Sequence, residues 1–365
     1  MKRTMGWRWR LAVLTALAVL PLAACGSDDS GSEPSESPET NGSETTAAEE
    51  DAPTLVLGIP PTVDSAPAML AIDKGYFTDL GIDVKLDTNA QPSSAALASL
   101  ATGDYTIVAM PIGAATFNAD RSGSLVGLLS NYAQDSEDGK SLAGVVVSKK
   151  LWDSGVQTAE GLKGKRIGLV APGGFAEFNT YQALQEGGLT EKDVEFATMS
   201  FADLGPALAN GSVDAGWCPE PLCTAMVAQG AAERLPTTAN NGEGIYQLFV
   251  NADYAEKYPQ TVTKALAGWV RAAEELNEGG WADEENLKII SKYTKLPPEA
   301  LKGVPALQAR ILTTTKDEMT PSFTLINAMQ EYFARTEKLT FDGEIDLSEG
   351  FDEKFIDGAL ELLKD

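Results

Sequence analysis

From Thr54 onward, short apolar runs alternate with stretches whose apolar residues recur every three or four positions. That alternation constrains the fold more than any other feature. A short run bounded by turn residues reads as a strand, and the longer period reads as a helix laid against it. Their regular succession specifies an α/β architecture with largely parallel sheets. TLVLGI (54–59) is a first strand. It leads through Pro60-Pro61-Thr62-Val63-Asp64-Ser65 into a helix whose apolar face is Ala66, Met69, Leu70, Tyr76 and Phe77, with Asp64 or Ser65 as cap. In IDVKLD, Ile82, Val84 and Leu86 alternate with Asp83, Lys85 and Asp87, the pattern of a half-buried strand.

The series continues. Ser93 or Ser94 caps a helix carrying Leu97 and Leu100, Gly103 ends it, and YTIVAM (105–110) and LVGLLS (125–130) supply further strands. After an acidic loop, LAGVVVS (142–148) leads out. A second series then opens with the strand Ile167 to Val170, the turn Pro172-Gly173-Gly174, and a helix through Tyr181 and Leu184. It goes on with VEFATM (194–199), a helix around Leu204 to Leu208, VDAGW (213–217) and the segment Cys218-Pro219-Glu220-Pro221. IYQLFV (245–250) returns to the first lobe, and a mainly helical tail, striped by Val262, Leu266, Trp269, Val270 and Ala273, covers that lobe. The expected organisation is a first lobe from 54–140, a second from 141–243, and completion of the first by 244–365. No fixed-period repeat suggests a solenoid or propeller.

The N-terminal residues direct the chain out of the cytoplasm. Lys2, Arg3, Arg8 and Arg10 precede an apolar stretch that starts at Leu11 and is broken by Pro21. It falls short of the ~18 residues that span a bilayer and reads as a cleaved export signal over 1–24. Leu22-Ala23-Ala24-Cys25 resembles a bacterial lipobox, in which the cysteine becomes the diacylated first residue of the mature chain. Two acyl chains suffice for stable anchoring. An ordinary secretory peptide with an incidental cysteine is the alternative. Residues 25–53 are acidic and carry no basic or aromatic side chain, the composition of a disordered tether.

The formal net charge is −25, and removal of the signal makes the chain more acidic still. Nucleic-acid backbones and anionic lipid surfaces are thereby disfavoured as partners. There is no histidine, which excludes Ser-His-Asp and Cys-His catalysis, histidine metal sites and histidine pH switching. Cys218 and Cys223 remain after lipidation. They are either a short-range disulfide of an exported protein or a pair of reduced, partly buried thiols.

Loops at the carboxyl ends of parallel strands are where open α/β sheets bind ligands. The turns at Asp64-Ser65, Pro111-Ile112-Gly113 and Gly173-Gly174 occupy such places, each leading into a helix N-terminus that can receive an anionic or carbonyl-bearing group. None of these turns carries Lys or Arg, so dipoles and hydroxyls would hold the ligand. Phe175, Phe178, Tyr132 and Trp217 are candidate aromatic walls, and Asn131 and Glu177 candidate polar contacts. Each also has an ordinary structural reading: glycines as turn, Phe178 as core, Glu220 as a helix-start acid favoured by the dipole.

Four blocks in order, GIPPTVDSAPAMLAIDKGYFTDLGIDVKL, LASLATGDYTIVAM, LKGKRIGLVAPGG and LANGSVDAGWCPEP, resemble the substrate-binding proteins of ABC importers, in the family of nitrate, alkanesulfonate, taurine and thiamine-pyrimidine binding proteins. The resemblance covers essentially 54–365. It implies a type II periplasmic-binding-protein fold, two α/β lobes joined by two crossover strands that close on a solute, and a membrane permease as partner. It implies no reaction, cofactor or metal, and a monomer. Carried over by position, it assigns Pro60, Thr62, Asp64, Ser65, Met110, Pro111, Gly173, Gly174, Phe175 and Glu220 to the site. The family commonly has Trp-Glu-Pro where this chain has Pro219-Glu220-Pro221, with Trp217 two residues earlier. That shift leaves Glu220 matched and the stacking tryptophan displaced. The expected ligand is a small anion such as a sulfonate, or an amino-bearing heterocycle such as a thiamine precursor with Glu220 accepting its N–H groups, the latter preferred. A ligand sensor, or an enzyme of thiamine-pyrimidine synthesis, are the rival functions. The enzyme is disfavoured because a related fungal branch consumes its own histidine, which this chain lacks.

Overall fold

The computed structural model describes residues 52–134, 144–239, 246–303 and 310–364. The export signal, Cys25 and nearly all of the expected tether lie outside them, as do both segments where the chain would cross between lobes. Among the described residues no helix is long and apolar enough to cross a membrane.

Two five-stranded sheets carry the fold. The first is built from β1 (Leu55–Gly58), β2 (Val84–Asp87), β3 (Ile107–Pro111), β4 (Leu125–Ser130) and β11 (Tyr246–Asn251), in the order β2-β1-β3-β11-β4. The second is built from β6 (Gly144–Ser148), β7 (Arg166–Leu169), β8 (Glu195–Thr198), β9 (Ala215–Cys218) and β10 (Ala232–Arg234), in the order β10-β6-β9-β7-β8. A small ribbon pairs β5 (Tyr132–Gln134) with β12 (Arg310–Leu312). β1 runs parallel to both β2 and β3, and β7 parallel to both β8 and β9.

Each sheet contains one reversed strand. β11 is antiparallel to β3 and β4, and β6 is antiparallel to β9 and β10. Their starting residues explain the reversal: Tyr246 sits opposite Pro111, and Gly144 opposite Cys218, each at the carboxyl end of its neighbour. A chain that arrives from the other lobe enters a sheet at the edge where the parallel strands finish, and from there it can only run backwards. Short connections also favour antiparallel neighbours.

The helical tail divides its packing. The helices Pro259–Asn277 and Lys354–Leu362 bury Val262, Leu266, Trp269, Phe355 and Ile356 in the core of the first sheet. The helix Phe323–Arg335 does something else. Its Met329, Tyr332 and Phe333 belong to a cluster containing Val108 and Phe117 from the first half and Ile167, Phe178 and Trp217 from the second. Phe333 lies 6.3 Å from the Phe117 ring and 6.4 Å from that of Phe178, and Tyr332 stacks on Tyr181 at 4.6 Å. Burying an aromatic side chain of this size contributes about 1.5–3 kcal/mol, so the tail ties the two sheets together instead of covering only the first.

Two expected caps differ. Ser93 is the first residue of the helix Ser93–Thr102, whose N-cap is Pro92, and no side-chain cap bond forms there. Ser65 stands at the N-cap of the helix Ala66–Asp73, but its hydroxyl pairs with the Tyr246 hydroxyl at 2.6 Å instead of the helix N–H groups. Cys218, at the end of β9, and Cys223, in the helix Leu222–Ala228, form a fully buried disulfide with Cα atoms 5.5 Å apart.

Candidate functional site

The carboxyl ends of strands from both sheets face a single cleft of about 290 Å³. That is close to the lower end of the ~300–1,000 Å³ typical of small-molecule sites. β1 delivers Pro60 to it, β2 leads to Gln91 through Ser94, and β3 ends in Met110 and Pro111. From the second sheet, β7 runs into Val170 through Gly174, β8 leads to Phe201, and β9 carries Trp217. The N-termini of the helices Ser93–Thr102 and Phe175–Glu186 also border it, and the first N–H groups of a helix have no intrahelical acceptor.

Within the cleft lining the two halves touch. The N–H of Ala114 donates to the carbonyl of Gly173 at 2.8 Å, joining the loop after β3 to the loop after β7. Two glycines permit this approach for different reasons. Gly173 adopts a φ of 70°, which side chains disfavour. Gly113 has ordinary extended backbone, but a Cβ there would stand 2.9 Å from the Gly173 carbonyl oxygen. The Gly173 turn is braced from behind: Glu177, 4% exposed, accepts from the Gly173 N–H at 2.8 Å and from the Tyr332 hydroxyl at 3.1 Å. Burial, and then the adjacent Glu177 charge, push the Tyr332 hydroxyl well above the usual phenol range, so it stays a donor.

The walls are aromatic and the electrostatics one-sided. Trp217 meets Phe175 edge to face at 5.8 Å and Phe201 at 6.2 Å, and its indole N–H is fixed by Asn179 Oδ1 at 2.8 Å. Of the described residues that line the cleft, Lys338 alone is charged. It lies beyond the helix Phe323–Arg335, half-buried, with its backbone held by Phe333 and by Asn118. Among the described residues no carboxylate lines the cleft.

Residues 48–293 match the model of the NMT1-like family. The chain belongs to the NMT1-like family. No curated protein matches it by sequence. Among solved structures, the alkanesulfonate-binding protein SsuA from Xanthomonas axonopodis pv. citri bound to MOPS is similar at 20% identity, with a TM-score of 0.65 over 84% of this chain and 99% of that one. The periplasmic nitrate-binding protein NrtA from Synechocystis PCC 6803 is similar at 16% identity, with a TM-score of 0.69 over 87% and 90%. A mutant of the desulfurization enzyme DSZB in complex with biphenyl-2-sulfinic acid is similar at 15% identity, with a TM-score of 0.60 over 85% and 99%. This NMT1-like chain therefore has the two-lobed α/β fold of type II periplasmic binding proteins.

Within this NMT1-like fold the residues singled out from the sequence separate into two groups. Pro60, Met110, Pro111, Gly173, Gly174, Phe175 and Trp217 line the cleft. Thr62, Asp64, Ser65, Asn131, Glu177 and Glu220 do not. Asn131, 1% exposed, donates to the Asp64 carbonyl at 2.6 Å and accepts from the Trp269 indole at 2.7 Å. It clasps the loop after β1 to the helix Pro259–Asn277. Thr62 Oγ1 is buried without a hydrogen-bond partner among the described residues. Glu220 is the larger departure: its carboxylate, with no exposed surface, is ion-paired with Arg234 and accepts the Thr224 N–H at 3.3 Å. The expected exchange between Trp217 and Glu220 is thus reversed, because the tryptophan reaches the cleft and the carboxylate turns away to a cation on β10. Tyr132 lies on β5, and its side chain is outside the described residues.

Sequence reasoning misses Gln91, Ser94, Asn118, Phe201 and Lys338 as cleft residues. Phe201 follows β8 and is accessible to the strand-end rule applied to every strand. Ser93 and Ser94 read as caps. Lys338 carries no local signal.

Proposed function

We propose that this chain is the extracytoplasmic solute-binding component of an ABC importer, held to the membrane by lipidated Cys25, acting as a monomer that captures a small organic solute between its lobes and presents it to a permease. The observation that carries this reading is the cleft itself: strand-end loops from both sheets converge on one cavity of solute size, and two of these loops meet through the Ala114–Gly173 hydrogen bond. An arrangement in which each sheet supplies half of the cavity suits a trap that opens and closes on its cargo. The division into lobes of 54–140 with 244–365, and 141–243, follows the strand membership of the two sheets. The named relatives include binding proteins for sulfonates and nitrate, which supports import over catalysis.

The test is a thermal-shift and native mass spectrometry screen over nitrate, alkyl and aryl sulfonates, and aminopyrimidines. A solute at a hundredfold of its Kd stabilises the folded form by about 2.7 kcal/mol, a Tm rise of about 5 °C for a chain of this size. If no solute class moves the melting temperature, the reading fails.

A further inference from the structure

We infer that Lys338 is the charge-selecting residue of the cleft, and that it restricts the cleft to organic monoanions of the sulfonate or carboxylate type over neutral and cationic solutes of the same size. This rests on the cleft being the solute site. Three observations support it.

The first is the composition of the wall. The chain has 53 acidic and 28 basic residues, so among charged side chains lining a cavity at random carboxylates would outnumber cations. Among the described residues, this one is lined by one lysine and by no carboxylate residue. Its other side chains are apolar apart from Gln91, Ser93, Ser94 and Asn118, and Asn118 is already engaged, donating to the Lys338 carbonyl and accepting from Thr340. A cationic solute would find no counter-charge there, and a second negative charge on an anion would find only neutral dipoles.

The second is that the ammonium is free. Among the described residues Lys338 makes no ion pair, while the carboxylate that would have received an N–H-bearing heterocycle, Glu220, is committed to Arg234.

The third is where the Lys338 stem starts. The helix Phe323–Arg335 ends with the Glu337 N–H bonded to the Ala334 carbonyl at 3.1 Å and the Lys338 N–H bonded to that of Phe333 at 2.8 Å. This is the Schellman closure, whose left-handed position usually carries glycine and whose following residue often packs as a hydrophobe. Here the left-handed residue is Glu337, at a φ of 58°, and the following one is the lysine. Backbone held in a disfavoured region points to a position that the surroundings require. The turn sets the Lys338 stem against the Gly173 loop, its Cβ 3.7 Å from where a Cβ on Gly173 would stand.

Benzenesulfonate and benzenesulfonamide, equal in size and differing in charge at neutral pH, test the inference by calorimetric titration of the whole protein. The wild type is expected to bind the sulfonate at least roughly tenfold more tightly, the scale of one charge-assisted hydrogen bond. Lys338→Met should weaken sulfonate binding by roughly 10- to 100-fold and leave the sulfonamide within about twofold, whereas Lys338→Arg should keep the preference. An unchanged circular dichroism spectrum and melting temperature for Lys338→Met show that the fold is intact. Equal affinities for the two probes in the wild type, or a preference that survives in the methionine variant, overturn the inference while leaving the cleft as a binding site. If neither probe binds and no solute in the wider screen does, the reading of the cleft fails and the role of Lys338 falls with it.

Discussion

Gly113→Ala is the smallest change that probes closure of the cleft. The backbone of Gly113 is extended, with φ −157° and ψ −178°, so alanine fits it without strain. The obstacle is across the gap. The added Cβ would stand 2.9 Å from the Gly173 carbonyl oxygen and 3.4 Å from the Gly174 Cα. Neither is the movable end of a side chain, and Gly173 is held by Glu177 behind it and by Ala114 in front. Relief requires the loops to part by a few tenths of an ångström, which stretches the 2.8 Å Ala114–Gly173 hydrogen bond. Losing one such bond removes about 1 kcal/mol, and the imperfect contact adds a little more, so solute affinity should fall roughly 5- to 10-fold. The clash exists only when the loops meet. In a protein whose lobes separate to admit solute, the solute-free melting temperature should therefore stay nearly unchanged. Titration with benzenesulfonate, paired with small-angle scattering with and without it, measures both sides. An affinity within twofold of wild type, or a solute-free Tm lowered as much as binding is weakened, would refute the idea that this contact belongs to the closed form.

Asn131→Ala should act on stability instead of binding. It strands the Trp269 indole N–H and the Asp64 carbonyl in the interior, at about 2–4 kcal/mol, or a Tm lower by about 3–6 °C. Lost affinity at an unchanged Tm would make Asn131 a ligand contact after all. Asp120→Asn should stabilise at neutral pH. Burial, reinforced by Glu349, raises the Asp120 carboxyl above its ordinary value, so the folded state holds its proton more tightly than the unfolded chain. Its contribution is favourable at acid pH and is lost as the pH rises through that raised value, so the asparagine variant's advantage in melting temperature should vanish on acidification. An advantage that persists at acid pH would point to a packing effect.

Much of the fold is legible in the order of residues alone. TLVLGI, YTIVAM and VDAGW are short apolar runs between turn residues, and they form β1, β3 and β9 because burial of a strand needs little beyond its own residues and a covering helix. The aromatic and glycine part of the cleft is legible for a related reason: Gly173, Phe175 and Trp217 sit at strand ends, and the edge where parallel strands finish is fixed once their order is. The polar part is not. Ser65, Asn131 and Glu177 have the residue types that contact ligands, yet each is satisfied inside the protein, by Trp269, Tyr246, Tyr332 or a backbone group.

The sequence by itself determined the order of elements, the α/β layering and the edge of the sheets at which a solute would be met, because these follow from local periodicity and chain direction. Only the tertiary structure decided which polar groups face the cleft. A buried carboxylate or hydroxyl takes whatever partner packing brings to it, and Glu220 met Arg234. Lys338 reached the cleft through a helix ending far along the chain from every strand that builds it. Charge at the site was therefore set by contacts between distant segments, which no local pattern encodes.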